Sequence, residues 1–285
     1  MLVHFVILSK NFFMRALIFT TCQAPIAEFT VVEVSAYLGE QLGIETHFIN
    51  DIDWPERQQR LIHNEIDVGW LCGAPYVRAV DARTVDAQND SIELLAAPVM
   101  AGSRYNARPI YFSDVVVRRD GPYQTFADLR GARWVYNEPG SHSGTAVVSW
   151  YLAQHGLDYS FFGEVRPSGA HQHSLRMVLD GDADATAIDA TVLDLLVAQQ
   201  PQLQAQIRVI ETLGPSPIPP WVIGRHVPPA LRSQLRLALI EMHAYTAGQA
   251  ILQRSQVSQF VPVIDADYDR TREMLTVAKA VVLPA

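Results

Sequence analysis

The sequence predicts an α/β fold, with two doubly wound α/β lobes joined by a hinge of two chain segments. Three observations carry that expectation. Short apolar runs alternate with stretches of helical period, as in a mostly parallel sheet wrapped by helices. The alternation is written twice, offset by roughly 115 residues, the signature of an internal repeat. Two long stretches without helical period follow the copies, where the chain can cross between lobes.

In the first copy, residues 16–21 read as a buried strand, 26–42 as a helix stopped by Gly43, and 45–49 as a second strand. A helix at 55–64, a strand at 67–71 and a helix opening at Pro75 complete it. The second copy runs strand 133–136, helix 144–155 stopped by Gly156, strand 161–165, helix 172–179, strand 185–188 and helix 191–199. "YLGEQLGIETHFI" parallels "YLAQHGLDYSFFG", and "RLIHNEIDVGW" parallels "RMVLDGDADATA", which aligns Asp67 with Asp184. Residues 110–117 form the outward crossing strand. After a strand at 207–211, "TLGPSPIPPWVIG" is the return; its four prolines make it stiff and extended. Helices at 229–253 and 267–277 are expected to pack back on the first lobe. The expected lobes are therefore 14–111 with 218–285, and 112–217, with 1–13 as an N-terminal extension.

Composition narrows the partners. Hydrophobic residues make up 49% and charged residues 18%, enough apolar content for a substantial core. A formal net charge of −8 and the lack of a dense Lys/Arg run argue against nucleic acid, while a small bound anion remains compatible. Two cysteines, Cys22 and Cys72, make no disulfide framework. Lys10 and Asn11 interrupt the N-terminal apolar run well short of a membrane span, and no basic residue leads it, so no convincing export signal is expected. No cofactor is implied, and a monomer is expected.

Ligands of such folds sit at the carboxyl ends of strands, here in a cleft between lobes. The stretch 137–145, "NEPGSHSGT", occupies that position in the second lobe. A helix start already offers free N–H groups and the positive end of the dipole. Ser141, Ser143 and Thr145 add hydroxyl donors, and Gly144 removes a side chain where ligand oxygens would approach. Ser141 alone would read as an ordinary N-cap. Asp189 reads as either an N-cap or a cleft acceptor for a protonated oxygen or amine. Tyr76 either donates across the gap or packs. His171, beside Ser168, is a candidate donor to an anion. His171 and His173 point to different helix faces, which argues against a metal. Cys22 and Cys72 end neighbouring strands and read as inert thiols. No Ser-His-Asp or paired-carboxylate set stands out.

On the stretches "LIHNEIDVGWLCGAPYV", "FADLRGARWVYNEPGSHSGTAVV", "SGAHQHSLRMVLDGDADATAIDATVLD" and "TLGPSPIPP", the sequence resembles the phosphate/phosphite/phosphonate-binding proteins of ABC transporters, in the type II periplasmic-binding-protein superfamily. The resemblance spans most of residues 15–224. It implies that Ser141, His142 and Ser143 sit on the ligand's oxyanion, with His171, Asp189 and a first-lobe tyrosine, here Tyr76, completing the cleft. It implies hinge closure on a small anion, delivery to an ABC permease, no catalysis, and a periplasmic or cell-envelope location. His142 departs from the hydroxyl that phosphonate binders commonly carry there, which bears on ligand identity. An enzyme of thiamine- or menaquinone-type biosynthesis on the same fold, or a cytoplasmic ligand sensor, are the alternatives.

Overall fold

The computed structural model describes residues 15–83 and 91–284. The expected extension at 1–13 lies outside the described residues. The first sheet contains β1 (Leu17–Thr21), β2 (Thr46–Phe48), β3 (Val68–Trp70), β4 (Ile92–Met100), β10 (Trp221–Gly224) and β11 (Val257–Val261), in the order β11-β4-β10-β3-β1-β2. The second contains β5 (Ile110–Arg118), β6 (Arg133–Tyr136), β7 (Glu164–Pro167), β8 (Ala185–Asp189) and β9 (Ile207–Pro217), in the order β7-β6-β8-β5-β9. The chain passes between sheets at 101–109 and again at 218–220.

Each sheet has a parallel trio, β2-β1-β3 or β7-β6-β8, flanked by an antiparallel strand that arrives from a crossing, β10 or β5. The sheets are thus mixed rather than wholly parallel. The repeat extends to side chains. Asp67, just before β3, accepts from the Ile18 amide at 2.7 Å and from Arg15 at 2.6 and 2.8 Å. Asp184, just before β8, accepts from the Arg133 amide and its guanidinium at 2.8 Å each. In both lobes a carboxylate staples the start of one parallel strand to the next.

Helices cover the sheets: α1 (Glu28–Leu42), α2 (Trp54–Ile62) and α3 (Gly73–Arg83) in the first copy, α4 (Val147–Gln154), α5 (His171–Asp180) and α6 (Ala190–Gln199) in the second, with a short α7 (Leu203–Gln206) before β9. Gly43 and Gly181 end α1 and α5 in the left-handed conformation (φ 65° and 82°), where a side chain would be strained. The expected single helix at 229–253 is two, α8 (Pro229–Glu241) and α9 (Thr246–Arg254), broken by a 3-10 turn at Met242–Ala244. Both pack on α1 and the first sheet.

The last helix, α10 (Asp269–Ala278), corrects the expectation that the C-terminal helices return to the first lobe. It packs mainly against α4 of the second lobe and also against α3 of the first. Its neighbouring apolar residues explain the bridge: Met274 is buried in the second-lobe core and Leu275 joins the cluster around Tyr76 and Tyr268. The main core also spans the lobes, joining Ile26 and Ala27 to Ile188, Val192 and Leu193. The lobes therefore share buried apolar contacts beside the cleft.

Candidate functional site

The cleft lies at the carboxyl ends of β1, β3, β6 and β8. It encloses about 280 Å³, between Cys22–Pro25, Glu28, Trp54, Arg57, Cys72 and Pro75 on one side and Asn137, Glu138, Gly140, Ser141, Ser143, His171 and Asp189 on the other. A wider hollow of about 530 Å³ lies between α3, the start of α4 and α10. Of the predicted site residues it touches only Thr145, so the cleft is the candidate site.

The donor turn is wider than an ordinary helix start. Residues His142–Ala146 form a π-helical turn ahead of α4, closed by Ala146 N–H donating to Ser141 O at 3.1 Å. Ser141 caps it, its Oγ accepting from the Gly144 amide at 3.1 Å. The amides of His142 and Ser143 meet no acceptor among the described residues, which leaves two N–H donors at the positive end of the helix. Ser143 Oγ lies 3.0 Å from His171 Nε2, and its carbonyl accepts from Ser113 Oγ at 2.7 Å.

Four predicted residues serve other purposes. Thr145 Oγ1 donates to the carbonyls of Glu138 (2.9 Å) and Ser141, so it braces the turn from behind. Gly144 is needed because the Asn137 side chain fills the space beside it: a Cβ there would lie 1.8 Å from Asn137 Oδ1. His142 does not face the cleft. Its ring is 1% exposed and its Nε2 lies 3.1 Å from Ser216 Oγ on β9. Tyr76 is also turned away. It is 2% exposed, donates to Asp265 Oδ1 at 2.8 Å and packs on the Tyr268 ring at 4.8 Å. On α3 the side chain that reaches the cleft is Pro75, one helical step away.

His171 opens α5, with Nδ1 buried and unpartnered, and Asp189 opens α6 as a working N-cap. Asp189 Oδ1 accepts from the Thr191 amide and hydroxyl at 2.9 and 2.7 Å. Ser168 Oγ turns back to Tyr136 O and Ser174, away from the cleft, and His173 bonds Ser168 O. Among the described residues no three metal-ligating side chains converge.

Five cleft residues, Asn137, Glu138, Trp54, Glu28 and Arg57, were not singled out as ligand contacts from the sequence. Asn137 is 8% exposed, with Oδ1 unpartnered. The Trp54 indole lies beside Glu138 and Gly140 in the cleft lining, and its Cη2 would sit 3.2 Å from a Cβ at Gly140. Glu28 pairs with Arg57 at 2.9 Å, and the other Arg57 donors go to the carbonyls of Ile52, Thr21 and Asn50. Asn137 and Glu138 directly follow a strand end, a signal available in the sequence. Trp54, Glu28 and Arg57 come from helices whose cleft-facing side depends on how the lobes meet.

Burial lowers the pKa of His171 and His142 to about 4 and raises that of Asp189 to about 6. The signs oppose. Asp189 contributes stability that is complete below its ordinary 3.8 and lost as pH rises through about 6. The histidines contribute stability that is complete above their ordinary 6.5 and lost as pH falls through about 4. Asp189 therefore offsets part of the histidines' loss on acidification. Thermal melts should show Asp189→Asn losing stability more steeply than wild type between about pH 7 and 5. A shallower slope in the variant would contradict this assignment.

Burial also raises the Cys22 thiol to about 12 and shifts Cys72 upward. Neither is a ready nucleophile, and iodoacetamide at pH near 8 should label both only after denaturation. Labelling of the native protein would reopen cysteine chemistry. Ser143 and His171 form a pair without an orienting acid, since His171 Nδ1 has no partner and Asp189 is engaged as a cap.

The profile of the ABC-transporter phosphonate periplasmic substrate-binding proteins matches residues 26–268. The chain belongs to that family. Its role is substrate binding rather than catalysis. PhnD1 from Prochlorococcus marinus, solved with methylphosphonate, has a TM-score of 0.79 at 17% identity over 94% of this chain and 99% of that one. A binding-protein component of a phosphonate ABC transporter from Pseudomonas aeruginosa has a TM-score of 0.78 at 17% identity, covering 93% and 87%. A Xanthomonas citri protein bound to ATP has a TM-score of 0.69 at 16% identity, covering 94% and 98%. The fold is that of the type II periplasmic binding proteins. In this phosphonate-binding family the protein is the periplasmic component that takes up a small ligand and works with a permease.

Proposed function

We propose that this family member captures a phosphonate whose organic end carries a positive charge or strong hydrogen-bond donors. The observation that carries this reading is the contrast within one cleft. The 141–143 turn offers amide and hydroxyl donors to an oxyanion, while the rest of the lining holds Glu28, Asp53, Glu138 and Asp189 against a single arginine already engaged within the first lobe. Two like charges about 6 Å apart in an effective dielectric of about 20 repel by about 3 kcal/mol. A plain dianion is therefore disfavoured, and a cationic group facing Asp189 and Glu138 turns repulsion into attraction. Asn137 Oδ1 and His171 Nδ1, buried without partners, are the other groups such a ligand can satisfy.

A few charge-assisted hydrogen bonds at about 1.5–3 kcal/mol each can reach the roughly −8 kcal/mol of micromolar binding. Closure holds the ligand between the lobes, with Trp54 beside Gly140 and Glu138, and the exported monomer then passes it to its permease. Calorimetry with an aminoalkylphosphonate, methylphosphonate, phosphate, a sulfonate and a carboxylate tests the proposal. The aminoalkylphosphonate should bind at least tenfold more tightly than methylphosphonate. Equal or tighter binding of methylphosphonate or phosphate would overturn the charged-ligand reading.

A further inference from the structure

We propose that His142 is the positioning residue that couples capture on the donor turn to movement at the hinge, an inference that rests on the cleft reading above. The residue has two faces. Its backbone amide is one of the two at the start of the turn that meet no acceptor among the described residues, between the cleft-lining Ser141 and Ser143. Its imidazole points the opposite way and touches both crossing strands. Nε2 lies 3.1 Å from Ser216 Oγ on β9, and the ring lies 6.2 Å, centroid to centroid, from Tyr111 on β5. Tyr111 and Ser216 are register partners, one pair before the strands end at Ile110 and Pro217. Beyond them, the Ile218 amide donates to Pro109 O at 3.0 Å, joining the two crossings themselves. The contact also reaches the bridging helix, since Ser216 Oγ donates to Met274 Sδ on α10 at 3.4 Å.

One buried side chain thus connects the anion turn, both hinge strands and, through Ser216, the helix that packs on both lobes. Interiors this closely packed yield by discrete shifts, so a turn drawn toward an anion moves the imidazole against the hinge. A hydroxyl in this position is too short to span from the turn to Ser216. The His142 side chain is therefore assigned to closure rather than to ligand contact. A residue that merely filled space would alter stability alone.

The test compares His142→Leu, which keeps bulk without a polar atom, His142→Gln, which restores one, Ser216→Ala, and the double variant H142L/S216A. Two readouts are taken: lobe separation by spin-label distance measurement without ligand and with an aminoalkylphosphonate, and affinity by calorimetry. H142L and S216A should each change the open-to-closed ratio by roughly five- to tenfold, the scale of one buried hydrogen bond. The double variant should match the singles, and H142Q should recover most of the change. Additive effects, or an unchanged ratio in variants that melt cooperatively, would overturn the coupling. If wild type binds no phosphonate, the ligand reading fails, and the ligand-free ratio and its non-additivity still decide the role of His142.

Discussion

Replacing Ser143 by alanine should weaken phosphonate binding by roughly ten- to hundredfold and also lower the stability of the free protein. Both effects follow from one hydroxyl. In the complex it is a donor to a charged oxygen, a bond of about 1.5–3 kcal/mol. In the free protein it is the partner of His171 Nε2 at 3.0 Å. The other ring nitrogen, Nδ1, is already buried without a partner, so alanine would leave the whole imidazole unsatisfied at 6% exposure. An unsatisfied buried group costs about 1–3 kcal/mol. Calorimetry and thermal melts separate the outcomes. Unchanged affinity removes Ser143 from the ligand site. Weaker affinity with an unchanged melt removes the His171 contact but keeps the site.

Replacing Gly144 by alanine should abolish measurable binding and destabilise the protein more than any conservative change nearby. Gly144 lies inside a helical turn, not in a left-handed conformation, so alanine would gain about 1 kcal/mol from backbone propensity alone. Any loss is therefore steric. The new Cβ would lie 1.8 Å from Asn137 Oδ1, 2.8 Å from its Cγ and 3.4 Å from His171 Cε1. Asn137 is buried just past the end of β6 and lines the cleft, so either its side chain swings into the ligand's space or the turn itself moves, and both disturb the cradle. The double variant N137A/G144A should recover the melting temperature without recovering affinity, because the clash is gone and the Asn137 acceptor with it. A single G144A variant that binds normally would show that the turn is not the anion cradle.

Much of this architecture was legible in the sequence, for identifiable reasons. The parallel trios alternate with helices that have clear stops such as Gly43 and Gly156, so their order could be read in both copies. The alignment of Asp67 with Asp184 pointed to a contact repeated in space. β4 and β11 escaped notice because their partners are distant in sequence. β4 carries Pro98, and its pairing with Phe260 of β11 depends on tertiary structure alone. The bridging position of α10 was hidden for a related reason. Adjacent Met274 and Leu275 serve different lobes, while a period-based reading assigns a helix one buried face.

At the site, composition located the turn but not the direction of its side chains. Ser141, Ser143, His171 and Asp189 line one cleft, as their positions at helix starts suggested. His142 and Thr145 do not, because a π-helical turn rotates successive residues differently from an α-helix, sending one to β9 and the other back to the turn's own carbonyls. Tyr76 was drawn off by Asp265 and Tyr268, nearly two hundred residues away in sequence. The acidic lining was dispersed over Glu28, Asp53, Glu138 and Asp189, and its excess over Arg57 emerges only when both lobes are assembled.

The most direct test of the central claim is a crystal structure of the protein with an aminoalkylphosphonate. The account predicts phosphonate oxygens within hydrogen-bond distance of the His142 and Ser143 amides and the Ser141 and Ser143 hydroxyls, with the ammonium group facing Asp189 and Glu138. A phosphonate seated instead among Arg78, Arg272 and Lys279 in the hollow behind the turn, or held in the cleft with its ends reversed, would contradict it.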